Sequence, residues 1–362
     1  MTMMTDNQDL KTAVIMLQYG GPDSPEAVEP FLFNLFNDPN IIEAPTPIRW
    51  LIAKYASKKR APIAREIYAS MGGSSPILPN TIKQATSLDE ILNGSQMGLG
   101  KVKTFVAMRY WNPMTDATAQ MVKDYAPDRI VLLPMYPQYS RATTGSSVRV
   151  WDEAAKKIGL DIPTWTICCY PEDPGFVEAM ASLTKDGLAK ARSANKGEPR
   201  VLFSAHGLPE RNIKKGDPYQ MQIERSVEAI VKKMADKDMD WKVTFQSRVG
   251  PLKWIDPDTE VEIKQAGAEG KPVVVVPVAF VSEHSETLVE LDIEYKEVAE
   301  EHGVPAYVRV PTVDARASFV NALADQVQQK LSAEPSYCSS NGGRICPNKW
   351  KRCPNQMPAP DA

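Results

Sequence analysis

The stretch VLFSAHGLP, residues 201–209, decides the fold. Val201, Leu202 and Phe203 form an apolar run after the turn-forming Gly197 and Pro199, and so read as a strand buried on both faces, as in parallel sheets. Gly207 and Pro209 end the run, which sets His206 at the strand's carboxyl end, the edge where open α/β sheets hold ligands. Imidazole is the natural proton acceptor near neutral pH. The chain has only three histidines, and two of them, His206 and His284, follow apolar strand-like runs. Read alone, a histidine at a strand end is as often a structural hydrogen-bonding group as a base.

Working outward, apolar runs and helical stripes alternate. Residues 12–17, 101–107, 129–134, 164–169, 200–205, 241–245, 272–280 and 307–310 read as strands. Residues 24–36, with Ser24 as cap and Pro25 at the first position, and 115–125, 144–158, 174–194, 219–235, 258–268 and 314–331 read as helices. This alternation is the pattern of doubly wound parallel sheets. The expected fold class is α/β: a first lobe over 1–150 and a second over 151–312, then a closing helix at 313–334 and a tail at 335–362. The unusual residues stand at strand ends: Tyr19, Arg109, Tyr136, His206, Arg248 and the acids from Glu283 to Glu286. They are expected to share one cleft between the lobes. No GxGxxG or P-loop pattern points to a nucleotide.

Composition narrows the class. Hydrophobic residues make up 43% and charged residues 24% of 362, as in a soluble globular protein. A net charge of −3 offers no basic field for nucleic acid. The longest purely apolar stretch, 272–281, is far below the ~20 residues of a membrane span. The first residues, MTMMTDNQDLK, lack the pattern of a secretory signal, so the cytoplasm is expected. Five cysteines in two clusters, in a reducing compartment, read as metal ligands before disulfides.

Two further segments stand out. Ile48, Leu51, Ile52 and Tyr55 recur at helical spacing beside Trp50, with Arg49, Lys54, Lys58, Lys59 and Arg60 around them. Residues 45–60 thus read either as a helix packed on a core or as an apolar lip with a basic flank that meets a bilayer surface. Beyond the 272–280 run comes FVSEHSETLVELDIEY. On an α-helix at ~100° per residue, Glu283, Glu286, Glu290 and Glu294 fall within about 80° of arc, with His284 beside the apolar face. A row of acids is usually a solvated face. Here it starts where an apolar strand ends and has no Lys or Arg four residues on before Glu290, which suits attracting a divalent cation or relaying protons.

SAHGLPERNIKKGDPY, at 204–219, closely resembles the signature of the ferrochelatases, which insert ferrous iron into a porphyrin to make haem. Four other stretches resemble the same family, in the same order: LQYGGP at 17–22, PMYPQYSRATTGSS at 134–147, FQSRVGPLKW at 245–254 and FVSEHSETLVELDIEY at 280–295. The resemblance covers about residues 12–330. It implies two Rossmann-like lobes, protoporphyrin IX and ferrous iron as substrates, and protohaem as product with release of two protons. It implies His206, Glu286 and His284 as catalytic residues, with His206, Glu286 and Glu290 meeting the metal. It implies porphyrin contacts from Tyr19, Lys59, Arg60, Tyr68, Ser75, Arg109, Tyr110, Tyr136, Arg248 and Trp254. It also implies that 45–75 is an apolar lip over the active site, able to touch a membrane surface. A chelatase for coproporphyrin or cobalt, and a tetrapyrrole carrier that does not turn over, are the competing readings.

The tail SYCSSNGGRICPNKWKRCPN has no core of its own and is expected to be disordered unless cross-linked. Its Cys338, Cys346 and Cys353 resemble the tails of ferrochelatases that carry a 2Fe–2S cluster. Such a cluster takes four thiolates. The animal enzymes' fourth ligand falls here on Arg141, so Cys168 or Cys169 is expected to complete the set. The two are taken as strand residues pointing to opposite faces, so that one can face the tail. Zinc is the alternative at such thiols.

Overall fold

In a computed structural model the chain forms two compact units. The structure describes residues 9–94, 97–355 and 357–358, so much of the N-terminal stretch and the end of the tail lie outside the described residues. One unit comprises the described residues up to Tyr170, Val320–Pro347 and those from Pro354; the other comprises Pro171–Phe319 and Asn348–Cys353.

The first unit runs β1 (Lys11–Gln18), α1 (Val28–Phe36), α2 (Thr46–Ala69), α3 (Ile77–Leu92), β2 (Lys101–Met108), α4 (Thr115–Tyr125), β3 (Arg129–Pro134), α5 (Thr144–Ile158) and β4 (Thr164–Ile167). Its sheet has the order β2-β1-β3-β4, and every pairing is parallel. Ile15, Leu17, Phe105, Ile130, Leu132 and Trp151 fill its core.

The second unit runs α6 (Pro174–Ser193), β5 (Arg200–His206), α7 (Glu210–Lys214), α8 (Tyr219–Met234), β6 (Asp240–Gln246), α9 (Thr259–Ala268) and β7 (Val273–Pro277). A π-helix (Glu286–Glu294), α10 (Tyr295–Glu301) and β8 (Tyr307–Arg309) follow. The sheet order is β6-β5-β7-β8, again all parallel. The central strands β5 and β7 are buried at every position but His206, as their apolar sequence requires. Asp173 and Asp258 cap α6 and α9 by accepting two backbone N–H groups each, so α9 begins one residue after the acid. The closing helix α11 (Ala317–Leu331) belongs to the first unit from Val320 onward.

The alternating α/β architecture is the expected one; several local readings are corrected. The helix expected at 24–36 starts at Val28, because Ser24 closes a turn by accepting the Ala27 N–H. The strand expected at 272–280 stops at Pro277, where the Phe280 N–H turns back to the Pro277 carbonyl. The strand at 164–169 stops at Ile167, so Cys168 and Cys169 are not strand residues on opposite faces; their sulfurs lie 3.5 Å apart. Helix α3 went unread because its buried stripe includes the polar Thr81 and Gln84; Thr81 gives its hydroxyl proton back to the Ile77 carbonyl. The tail is not structureless: β9 (Tyr337–Cys338) extends the first sheet beside β4, pairing Thr166 with Tyr337 and Ile167 with Cys338.

Helix α2 bears on the two readings of 45–60. Its buried stripe is Ala53, Ser57, Ala61, Ala64 and Tyr68, small residues that let the helix lie close to α1. The bulky set is turned outward: Ile48, Trp50, Leu51, Ile52 and Tyr55 are exposed, Leu51 to 62% and Tyr55 to 70%. The core-packed reading of 45–60 therefore fails.

Candidate active site

In the second unit, β5 delivers His206 to the sheet's carboxyl edge. Gly207 follows because a Cβ there would meet the Gln246 carbonyl at 2.9 Å and the Trp254 ring at 3.3 Å. The Tyr219 hydroxyl donates to the His206 carbonyl at 3.0 Å and anchors the turn. His206 Nδ1 lies 2.9 Å from Glu286 Oε2, and His284 Nε2 lies 3.7 Å from the same oxygen. His284 Nδ1 faces the Ser282 carbonyl, an acceptor only, and therefore carries a proton.

The charges of these groups are coupled. Burial opposes the Glu286 charge, but His206 above all and then His284 outweigh it, and the carboxyl sits well below its ordinary range. An ionised Glu286 makes His206 Nδ1 the donor and leaves Nε2, in the neutral ring, with its lone pair outward. Burial likewise pulls the His206 pKa down, but the Glu286 carboxylate and, more weakly, Glu290 raise it above the usual imidazole value.

Glu290 has the opposite fate. Burial and the charge of Glu286 push its pKa up, against donors from Ser247 and Gln246. Its carboxylate accepts the Ser247 N–H at 2.7 Å, the Ser247 hydroxyl, the Gln246 side-chain amide at 2.9 Å and the Tyr295 hydroxyl at 3.2 Å. Ser247 takes a left-handed φ of 63°, which turns both its donors onto this one group. Burial and neighbouring charge thus drive the two carboxyls apart, Glu286 toward the anion and Glu290 toward the protonated form.

The acid row itself differs from its expected form. Residues 286–294 are π-helical, not α-helical. Glu283 lies before the helix and pairs with Arg309 at 2.6 Å, so it leaves the row. Glu294 is exposed. Glu286 and Glu290 remain as the inward pair.

The other expected contacts divide. Beside Gly207, Trp254 buries an indole N–H with no hydrogen-bond partner among the described residues. Arg248 is taken up by its own loop, bonding the Ile255 carbonyl at 2.6 Å, Asp256 at 2.7 Å and Asp258 at 3.1 Å. In the first unit, Tyr19 meets Tyr110 edge-on at 4.8 Å, and Tyr68 packs in the same cluster. Ser75 lies against Gly21, where a Cβ would come within 2.6 Å of it. Tyr136 is buried, and Lys59 and Arg60 are exposed.

Asp38 was not foreseen. Its fully buried carboxylate binds Arg109 at 2.6 Å, the Tyr110 hydroxyl at 2.8 Å and the Ser146 hydroxyl. It lies in the α1–α2 loop, where no periodic pattern marks it. Asp38 also pairs with Arg149 at 3.7 Å, so one carboxylate holds Arg109 and Tyr110 and is shared between two guanidinium groups.

All five cysteines are buried, and none forms a disulfide. The Lys330 ammonium, buried with its side chain, bonds Cys338 Sγ and the carbonyls of Cys338 and Ser339. Among the described residues no three His, Cys, Asp or Glu side chains are set to hold a metal ion, so the four-thiolate set expected for a cluster does not come together.

Comparison with known proteins matches this chain to a family. The ferrochelatase family model fits residues 11–331. A ferrochelatase of Pelagibacter ubique is 47% identical over 95% of this chain and 98% of its own length. One of Caulobacter vibrioides is 48% identical over 95% of this chain and 97% of its own. One of Wolbachia sp. subsp. Drosophila simulans is 50% identical over 87% and 98%. Among solved structures, SirB from Bacillus subtilis with Fe3+ is similar in fold, with a TM-score of 0.52 at 10% identity over 89% of this chain and 96% of that one. The relatives agree over nearly the whole length, and the chain belongs to the ferrochelatase family, the metal–porphyrin chelatases.

Proposed function

We propose that this chain inserts ferrous iron into protoporphyrin IX, with His206 as the base and Glu286 as its fixed counter-ion. The 2.9 Å pairing of His206 Nδ1 with an ionised Glu286 carries the reading. Metallation exchanges two pyrrole N–H protons for one dication. The outward lone pair of His206 Nε2 takes a pyrrole proton, and Glu286 stabilises the imidazolium that forms. Glu290, the more easily protonated carboxyl, receives protons next and leads them toward the exposed Glu294. His206 and Glu286 also meet the incoming iron, as imidazole and carboxylate do for several divalent ions.

Two observations support a porphyrin with two carboxylates over one with four. Arg109 is held by Asp38, which it shares with Arg149, and Arg248 by Asp256 and Asp258, which leaves Lys59 and Arg60 as the expected cationic contacts still exposed. The outward face of α2 carries Ile48, Trp50, Leu51, Ile52 and Tyr55 in its first turns. Anaerobic assay of the purified protein with ferrous iron tests this: protohaem should form faster from protoporphyrin IX than metal-loaded product from coproporphyrin. Preference for coproporphyrin overturns the substrate, and metallation of neither overturns the function.

The α2 face also fits a membrane surface, with Ile48, Leu51, Ile52 and Tyr55 outward among Lys54, Lys58 and Lys59. No described helix is long and apolar enough to cross a membrane. The proposal is a cytoplasmic enzyme that touches the bilayer peripherally. Replacing Leu51 and Ile52 together by Asp should lower binding to anionic vesicles and weaken porphyrin affinity. Stability should change by about 0.5 kcal/mol or less per site, as for exposed positions. A larger loss of stability with unchanged vesicle binding contradicts it.

The resemblance also points to a 2Fe–2S cluster on Cys338, Cys346, Cys353 and one of Cys168 and Cys169. Among the described residues no three of these thiols gather to hold a metal, and no step of the reaction runs through a cluster. Iron and acid-labile sulfide in anaerobically purified protein decide: about two of each per chain supports a cluster, and none of either leaves five buried thiols.

A further inference from the structure

The segment that carries Glu286 and Glu290 is an unfavourable one. π-Helices are rare and mostly single-turn bulges, yet here the π-helix runs nine residues. Something outside it must hold the wider register. Thr287, Val289 and Leu291 are buried, but apolar burial alone does not select π over α.

From β6 the Gln246 amide donates to the Glu286 carbonyl at 3.0 Å; the contacts further along the π-helix come from β8, the edge strand of its sheet. Tyr307 and Arg309 are two residues apart on a strand and so project from one face. The Tyr307 hydroxyl donates to the Leu291 carbonyl at 2.7 Å, a backbone group inside the π-helix. The Arg309 guanidinium, only 11% exposed, grips Asp292 through two nitrogens, Nε at 2.8 Å and Nη2 on the second oxygen. Its Nη1 reaches Glu283 at 2.6 Å, and Glu283 is fixed again by the Thr312 N–H at 3.0 Å. One rigid, planar cation thus ties a residue before the π-helix to a residue near its end. Glu286 and Glu290 lie between the two tie points. Neither Arg309 nor Tyr307 hydrogen-bonds His206, Glu286 or Glu290.

We infer that Arg309, assisted by Tyr307, is a positioning residue for the reaction: β8 holds residues 286–294 in π-helical register and thereby sets Glu286 against His206 and Glu290 against Ser247. The inference rests on the proposed function for its kinetic consequence only; the structural consequence stands apart from activity.

The test compares Arg309→Met, Arg309→Lys and Tyr307→Phe in the full chain, by amide hydrogen exchange and by anaerobic metallation kinetics. In Arg309→Met, exchange should quicken at residues 287–294 and stay unchanged in β5 and β7. Turnover should fall by about 100-fold, the scale of a ~1 Å misplacement, with the porphyrin KM unchanged. Arg309→Lys keeps one contact and should recover part of both effects. Adding Asp292→Asn to Arg309→Met should cost little more, because the pair acts as a unit. Turnover within twofold of wild type, or unchanged exchange at 287–294, overturns the inference. So does faster exchange spread evenly over both sheets, which marks general destabilisation. If Arg309→Met does not fold, Tyr307→Phe, which deletes one oxygen, carries the exchange test with the same outcomes. If the wild type itself metallates nothing, the proposed function falls, and the exchange result still decides the role of β8.

Discussion

Replacing His206 by Ala is expected to slow metallation by about 10²–10⁴-fold, the range for losing a positioned base. Fold and porphyrin binding should survive. The side chain is not a core element: it is 38% exposed, and its one charged partner is Glu286. The strand that presents it is held by its own ladder to β6 and β7, which the substitution leaves intact. Protoporphyrin fluorescence quenching and thermal unfolding monitor the two controls. Turnover near that of wild type removes His206 from the chemistry. Loss of soluble protein would instead mark a structural histidine.

The second large effect is graded along the acid pair. Glu286→Gln keeps the shape and removes the fixed anion, and should cost about 100-fold, because His206 then has no counter-ion for its proton. The same change orphans the pairing with both histidines. Glu290→Gln should cost about tenfold: its single amide oxygen keeps two of the four donors, its NH2 faces the other two, and the proton acceptor is lost. Glu294→Gln should be nearly silent, because Glu294 is exposed at the far end of the π-helix. Equal small losses at all three positions would return the row to a solvated face.

These expectations show where sequence reading succeeds. The buried parallel strands were legible because runs such as VVVV at 273–276 have only one comfortable environment. The position of His206 followed from the strand and its Gly and Pro stops. The partnership with Glu286 is long-range, and resemblance supplied it where periodicity could not. The π-helix was illegible because its residues also fit α spacing; the bias comes from Arg309 and Tyr307, far along the chain. Asp38 was illegible for the same reason: a lone acid in a loop shows its partners Arg109 and Ser146 only after folding. The apolar residues of α2 left pattern reading with two answers, since small residues rather than bulky ones pack the helix down.

The central claim is that His206 acts as a base whose proton affinity Glu286 sets. The pH dependence of single-turnover metallation, measured in wild type and in Glu286→Gln, tests it most directly. The working form of His206 is neutral, so the rate must climb as pH rises through the folded pKa. Glu286 raises that pKa above the ordinary imidazole value, and burial alone would lower it. Wild type should therefore show a rising limb centred above about 6.5, and Glu286→Gln the same limb shifted to lower pH. A limb that stays in place when Glu286 is changed, or a rate that falls with pH across this range, contradicts the account.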